Sequence, residues 1–232
     1  MHCQRPTLIF LLLAILTTLP ASAQTGADLP RFSESIHVIG DLPFIEPVEY
    51  GQPVTIRFGI GELDIRTTSS NEIRADLEVR CRPKLSEALC EKYRNRLRLE
   101  PHRSDEGVEV RLVGLPKYKL RRLHLDGRIQ VPRWSPLTVR VGIGDVDIRV
   151  DAKDLLVEMG IGDLHIIVPA ASVGTVQMST RIGDASVSRS SGPSIKTRRR
   201  LLLGARVNWT DGDGDATISV GLKIGDAKVV LE

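Results

Sequence analysis

Aromatic side chains are scarce, with four Phe, three Tyr and two Trp in 232 residues. Sites that stack unpaired bases or sugar rings depend on such groups, so nucleic acid is not expected as a partner. Cysteine is limited to Cys3, Cys81 and Cys90, and their spacing fits no zinc pattern. The four histidines beyond residue 23, His37, His102, His124 and His165, show no metal spacing either. Beyond the N-terminal stretch no apolar run is long enough to span a bilayer. A nucleophile elbow, a phosphate-cradling glycine loop and a paired Cys and His signature are all missing. No catalytic residue, metal ligand or cofactor is therefore assigned.

One short pattern does recur. Ile-Gly followed by an acid appears in GIGELDIR from Gly59, GIGDVDIR from Gly142, GIGDLHII from Gly160, RIGDASVS from Arg181 and KIGDAKVV from Lys223. Apolar residues alternate on both sides, as in Val139, Val141 and Ile143 before Asp145 and Val146, Ile148 and Val150 after it. A period of two denotes strands, and glycine supplies the backbone angles of a tight bend, so each copy reads as strand, corner, strand.

The acids are Glu62, Asp145, Asp163, Asp184 and Asp226, and the last interval is twice the 21 residues before it. That doubling predicts a degenerate corner at LLGARVNW, with Arg206 in the acidic slot as a counter-ion between Asp184 and Asp226. Units of about 20 residues in constant phase predict an all-β fold, a parallel β-solenoid whose coils stack about 4.8 Å apart. Ile143, Ile161, Ile182 and Ile224 would then form an inner column. A carboxylate at each bend would accept backbone N–H bonds; stacked carboxylates could instead hold a divalent cation.

Residues 1–23 have the form of a secretory signal peptide, with Arg5, an apolar run from Leu8 to Leu19 and Ala21-Ser22-Ala23 at the cleavage point. Export to a periplasm or the cell surface follows, with residues 24–232 as one domain and no membrane span left after cleavage. In an oxidising compartment Cys81 and Cys90 make a natural disulfide, which would stabilise by about 2.7 kcal/mol in the chain-entropy model. Around them a helical insertion is expected over 83–97, with Leu85, Ala88, Leu89 and Tyr93 on one face, and the regular coils over 128–232. DGDGD from Asp211 resembles a calcium loop but has Ala216 and Leu222 where glycine and glutamate belong.

Net charge is only +3, yet residues 81–140 carry fifteen Lys and Arg against seven Asp and Glu. Lys117, Lys119, Arg121 and Arg122 form one basic cluster and Arg198, Arg199 and Arg200 belong to another. Together they would offer a surface to anionic envelope polymers, lipids or another envelope protein.

VPRWSPLTVRVGIGDVDIRV from Val131 and VPAASVGTVQMSTRIGDASVS from Val168 resemble the Val-Pro, spacer, strand, Gly-Asp-x-x-Val units of bacterial putative-adhesin repeat domains. The resemblance covers residues 128–232 and partly 54–66, and the Cys81 to Cys90 insertion is similar to insertions in some members. It implies a β-helix-like fold outside the cytoplasm and transfers no catalytic residue. The expectation is an exported, non-enzymatic scaffold or adhesin-like module of the cell envelope. Two alternatives stand beside it: a carbohydrate-active β-helix enzyme using the Asp ladder, and a divalent-cation-binding envelope protein.

Overall fold

The computed structural model describes residues 37–82, 85–190, 198–200, 204–210 and 212–232. The signal-peptide segment and Asp211 of DGDGD lie outside them. Residues Ser35–Glu232 make one compact unit. Its strands in chain order are β1 (His37–Pro47), β2 (Val54–Ile60), β3 (Glu62–Thr68), β4 (Glu72–Cys81), β5 (Arg98–Ser104), β6 (Gly107–Val113), β7 (Leu123–Pro132), β8 (Leu137–Ile143) and β9 (Val146–Arg149). They continue as β10 (Asp154–Ile161), β11 (Leu164–Val168), β12 (Val173–Ile182), β13 (Ala185–Arg189), β14 (Arg198–Arg200), β15 (Gly204–Trp209), β16 (Ala216–Ile224) and β17 (Ala227–Leu231).

Two sheets result. The first has eight strands in the order β1-β4-β7-β3-β9-β11-β17-β13 and the second nine in the order β14-β15-β12-β16-β10-β8-β2-β6-β5. Five chain segments run from the second sheet into the first through a glycine corner, and these form the parallel centre of both. Alternation in each strand turns one set of side chains inward. Ile56, Val139, Val157 and Val176 of the second sheet thus meet Ile65, Ile148, Ile166 and Val229 of the first in a core without measurable exposure.

The corners are built on contact between backbones. Gly61, Gly144, Gly162, Gly225 and Gly183 have φ of 145°, 141°, 135°, 127° and 119°, a region that residues with a Cβ rarely enter. Each corner also lies directly on the next. The N–H of Gly144 donates to the Ile161 carbonyl at 2.9 Å and that of Gly162 to the Ile224 carbonyl at 3.0 Å. A Cβ on Gly162 would sit 1.9 Å from the Gly144 carbonyl oxygen, so a side chain is excluded by space as well as by torsion.

The expected parallel solenoid is not what forms. The sheets are mixed and sandwich-like: β1, β4, β5, β14 and β15 all pair antiparallel. The order of the corners also departs from the order in the chain, because β16/β17 lies between β10/β11 and β12/β13. The segment expected to supply a coil with Arg206 at its corner makes the hairpin β14–β15 instead. Gly204 starts β15 rather than joining two strands, and Arg206 lies opposite Ser179 in mid-strand. It cannot act as a counter-ion between Asp184 and Asp226, whose corners pair directly.

The isoleucine column exists in register but faces out. Ile161, Ile182 and Ile224 are 45%, 48% and 42% exposed, and Ile143 is half-buried. Each precedes a corner glycine, at the end of the sandwich, where the backbone leaves one layer for the other and no layer covers the side chain. The helical insertion contains α1 (Glu87–Arg94), with Cys90 and Tyr93 buried, and Cys81 joined to Cys90 across a Cα separation of 6.1 Å. Ala88 faces solvent. A second short helix, α2 (Lys117–Leu120), was not expected; it packs on β2 and β7.

Replacing Gly162 by Ala should lower stability by at least about 2 kcal/mol, through strain and displaced backbone. Gly221→Ala, where a Cβ meets nothing within 4 Å, should change it by less than about 0.5 kcal/mol. Urea denaturation of both variants checks this, and equal losses would contradict it.

Candidate functional site

Strand register sets the outer face of the eight-stranded sheet. Asp41 pairs with Glu78, Glu78 with Asp126 and Asp126 with Glu62. The neighbouring pairs Leu63–Val146, Val146–Leu164, Leu164–Ala227 and Ala227–Ala185 carry the row on through Asp145, Asp163, Asp226 and Asp184. Every strand or its corner therefore contributes one acid to a single line across the sheet. The five acids of the sequence pattern are brought together, in the spatial order Glu62, Asp145, Asp163, Asp226, Asp184.

Neighbouring carboxylates about 4.8 Å apart repel by about 0.9 kcal/mol each in water, so the line needs relief. Backbone donors supply it at the corners. Asp163 N–H donates to Asp145 Oδ1 at 2.9 Å, Asp226 N–H to Asp163 Oδ1 at 3.1 Å and Asp184 N–H to Asp226 Oδ1 at 2.8 Å. Three carboxylates thus have a structural occupation, tying each corner to the next.

At the other end of the line a guanidinium takes over. Arg80 Nε donates to Glu78 Oε1 at 2.7 Å, and the same side chain pairs with Asp126 Oδ2. The hydrogen bond from Arg80 holds the Glu78 carboxyl below its ordinary value of 4.5. Here the surface sinks into a trough lined by eight carboxylates, among them Glu62, Glu78 and Asp126, together with Arg80 and Arg128, while Arg66 pairs with Asp64 of the same lining. His124 stands at its edge, with Nε2 3.4 Å from Glu62 Oε1 and 3.4 Å from Asp126 Oδ1.

The two basic clusters lie on distant elements. Arg121 and Arg122 follow α2 and are exposed beside Arg82, whose N–H donates to the Arg122 carbonyl at 3.3 Å. Lys119 Nζ lies 5.6 Å from the Tyr93 ring and 5.8 Å from the Tyr118 ring, which joins α2 to α1. Lys117 begins α2. Arg198, Arg199 and Arg200 form β14, six strand positions from β2 in the second sheet, or about 29 Å along it.

Sequence reasoning missed Arg80, His124 and Asp126. His124 and Asp126 are two apart on one strand, so alternation alone puts them on one face. Their neighbour Glu62 comes from a register that spacing does not reveal.

No family model matches the chain, and no curated protein matches it. Similar solved structures are described as a putative cell adhesion protein from Clostridium sporogenes and a putative adhesin from Parabacteroides merdae. The first is 13% identical, covers 83% of this chain and 100% of its own, and has a TM-score of 0.49. The second is 7% identical, with coverages of 82% and 81% and a TM-score of 0.26. A putative lipid binding protein from Parabacteroides distasonis is 7% identical, covers 82% of this chain and 97% of its own, and scores 0.23. At these identities and scores the likenesses say nothing about activity.

Because the Glu78 carboxyl is held low in the folded chain, its pairing stabilises above the ordinary value of 4.5 and is lost as pH falls through the folded pKa. Thermal melts from pH 6 to pH 3 should show the gap between the wild type and Glu78→Gln closing as pH falls below about 4.5. A constant gap would contradict this.

Proposed function

We propose that the chain is an exported, non-enzymatic interaction module of the cell envelope that attaches through the basic cap around α1 and α2. The observation that carries this reading is the set of cations on and beside α1 and α2, two helices joined by the Lys119 contact with Tyr93 and pinned by the disulfide. Lys119, Arg121 and Arg122 come from the α2 side, Arg82 from the end of β4, and Lys92 and Arg96 from the end of α1. Tyr118, 67% exposed among them, adds an apolar ring with a polar tip.

Such a surface suits phosphate or carboxylate groups displayed on envelope polymers or lipids. Export is supported by the leader pattern of residues 1–23 and by the Cys81–Cys90 bridge, which belongs in an oxidising compartment. Among the described residues, no helix is long and apolar enough to cross a membrane. Attachment through the cap would need no such helix.

The test compares the wild type with the triple variant Lys119→Glu, Arg121→Glu, Arg122→Glu. Retention is measured on anionic phospholipid vesicles, on neutral vesicles and on immobilised anionic polysaccharide. With about 1 kcal/mol per cation near a charged surface, affinity for the anionic support should fall at least about a hundredfold at low salt. Equal retention of the two proteins on the anionic supports, or wild-type retention on neutral vesicles as strong as on anionic ones, would overturn the reading.

A further inference from the structure

We propose that Glu62, His124 and Asp126 form a binding site for a transition-metal dication of the Zn2+ type. Three observations carry this independently of the basic cap. The ligand atoms of these residues all lie within 4.8 Å of one another, the one such group among the described residues. Single His124 Nε2 stands 3.4 Å from an oxygen of each acid. Asp126 Oδ1 is closed to solvent and has no hydrogen-bond partner.

One imidazole nitrogen facing two carboxylate oxygens is the arrangement to explain. One Nε2–H can be aimed at only one oxygen, so a pairwise contact leaves the second carboxylate unserved. His165 faces one carboxylate oxygen, that of Asp147, at 3.3 Å, so it is the second carboxylate and not the distance that sets His124 apart. Two ligands about 2.1 Å from a shared Zn2+ at the tetrahedral angle stand about 3.4 Å apart. Both edges measured from His124 Nε2 have that length.

The surroundings fit a dication as well. Arg80 holds the far oxygen of Asp126, which orients the carboxylate and leaves Oδ1 turned to His124, as outer partners of metal ligands do. The trough around the three residues is strongly acidic. Its field would draw a cation in. Side-chain exposures of 53% for Glu62, 38% for His124 and 25% for Asp126 keep the site open from solvent. One imidazole nitrogen and two carboxylates suit Zn2+, with the fourth position left to water, whereas Ca2+ prefers six to eight oxygens.

The experiment is calorimetric titration of the untagged, metal-stripped full chain with Zn2+ alone and with Ca2+ alone, alongside the visible spectrum with Co2+. One Zn2+ per chain is expected, together with Co2+ bands of a four- or five-coordinate site. His124→Ala and Asp126→Asn should each weaken Zn2+ binding at least about tenfold. His165→Ala should leave it unchanged, and matching melting curves in EDTA confirm that the variants fold. Three results would each overturn the proposal: no saturable Zn2+ uptake, unchanged affinity in His124→Ala, or equal affinity for Ca2+. The last would assign any binding to the acidic line as a whole.

Discussion

Close approach of backbone to backbone at the glycine corners is the constraint from which the rest of the structure follows. At a corner the chain leaves one sheet for the other, and the next corner lies on it at hydrogen-bond distance, Gly162 N–H to the Ile224 carbonyl for example. Only glycine satisfies both the positive φ and the space, so both sheets must share one register along their whole parallel centre. The buried rows of Val, Ile and Leu on the inner faces are aligned by that register, and so are the charged rows outside.

The acidic line is the electrostatic consequence. Stacking identical corners forces like charges together, and the molecule offsets this in two ways along one line. Over Asp145, Asp163 and Asp226 the carboxylates accept backbone N–H groups from the neighbouring corner. Over Glu78 and Asp126, where antiparallel strands replace corners, Arg80 takes the role. The trough at that junction, with His124 at its edge, arises because β7 is the strand that joins the parallel centre to the antiparallel flank. Beyond it the charge changes sign, and α1 and α2 carry the basic cap.

Much of the local structure was legible in the residues. Alternation marked the strands, Ile-Gly-Asp marked the corners, and the leucine and tyrosine spacing around Cys90 marked α1. The global order was not. Nearly identical corners carry no label for their neighbours, so counting divides the 42-residue interval from Asp184 to Asp226 into two coils where the chain forms the β14–β15 pair and a return. The apolar phase of Ile161 and Ile182 pointed inward by counting, yet a side chain just before a positive-φ glycine sits at the end of the layers. The trough residues were hidden for a related reason: Glu62 meets Asp126 only through the parallel pairing of β3 with β7, which nothing in either strand announces.

Spatial order of the corners is the central claim, and paired cysteines test it directly. In the arrangement described, the corners at Asp163 and Asp226 are neighbours, about 4.8 Å apart, while Asp163 and Asp184 are separated by an intervening corner at about twice that distance. Disulfides bridge Cα atoms about 4.4–6.8 Å apart. Under mild oxidation Asp163→Cys with Asp226→Cys should cross-link in high yield and Asp163→Cys with Asp184→Cys should not, as read by peptide mapping. Cross-linking of the second pair in place of the first would put the corners in chain order and contradict the account.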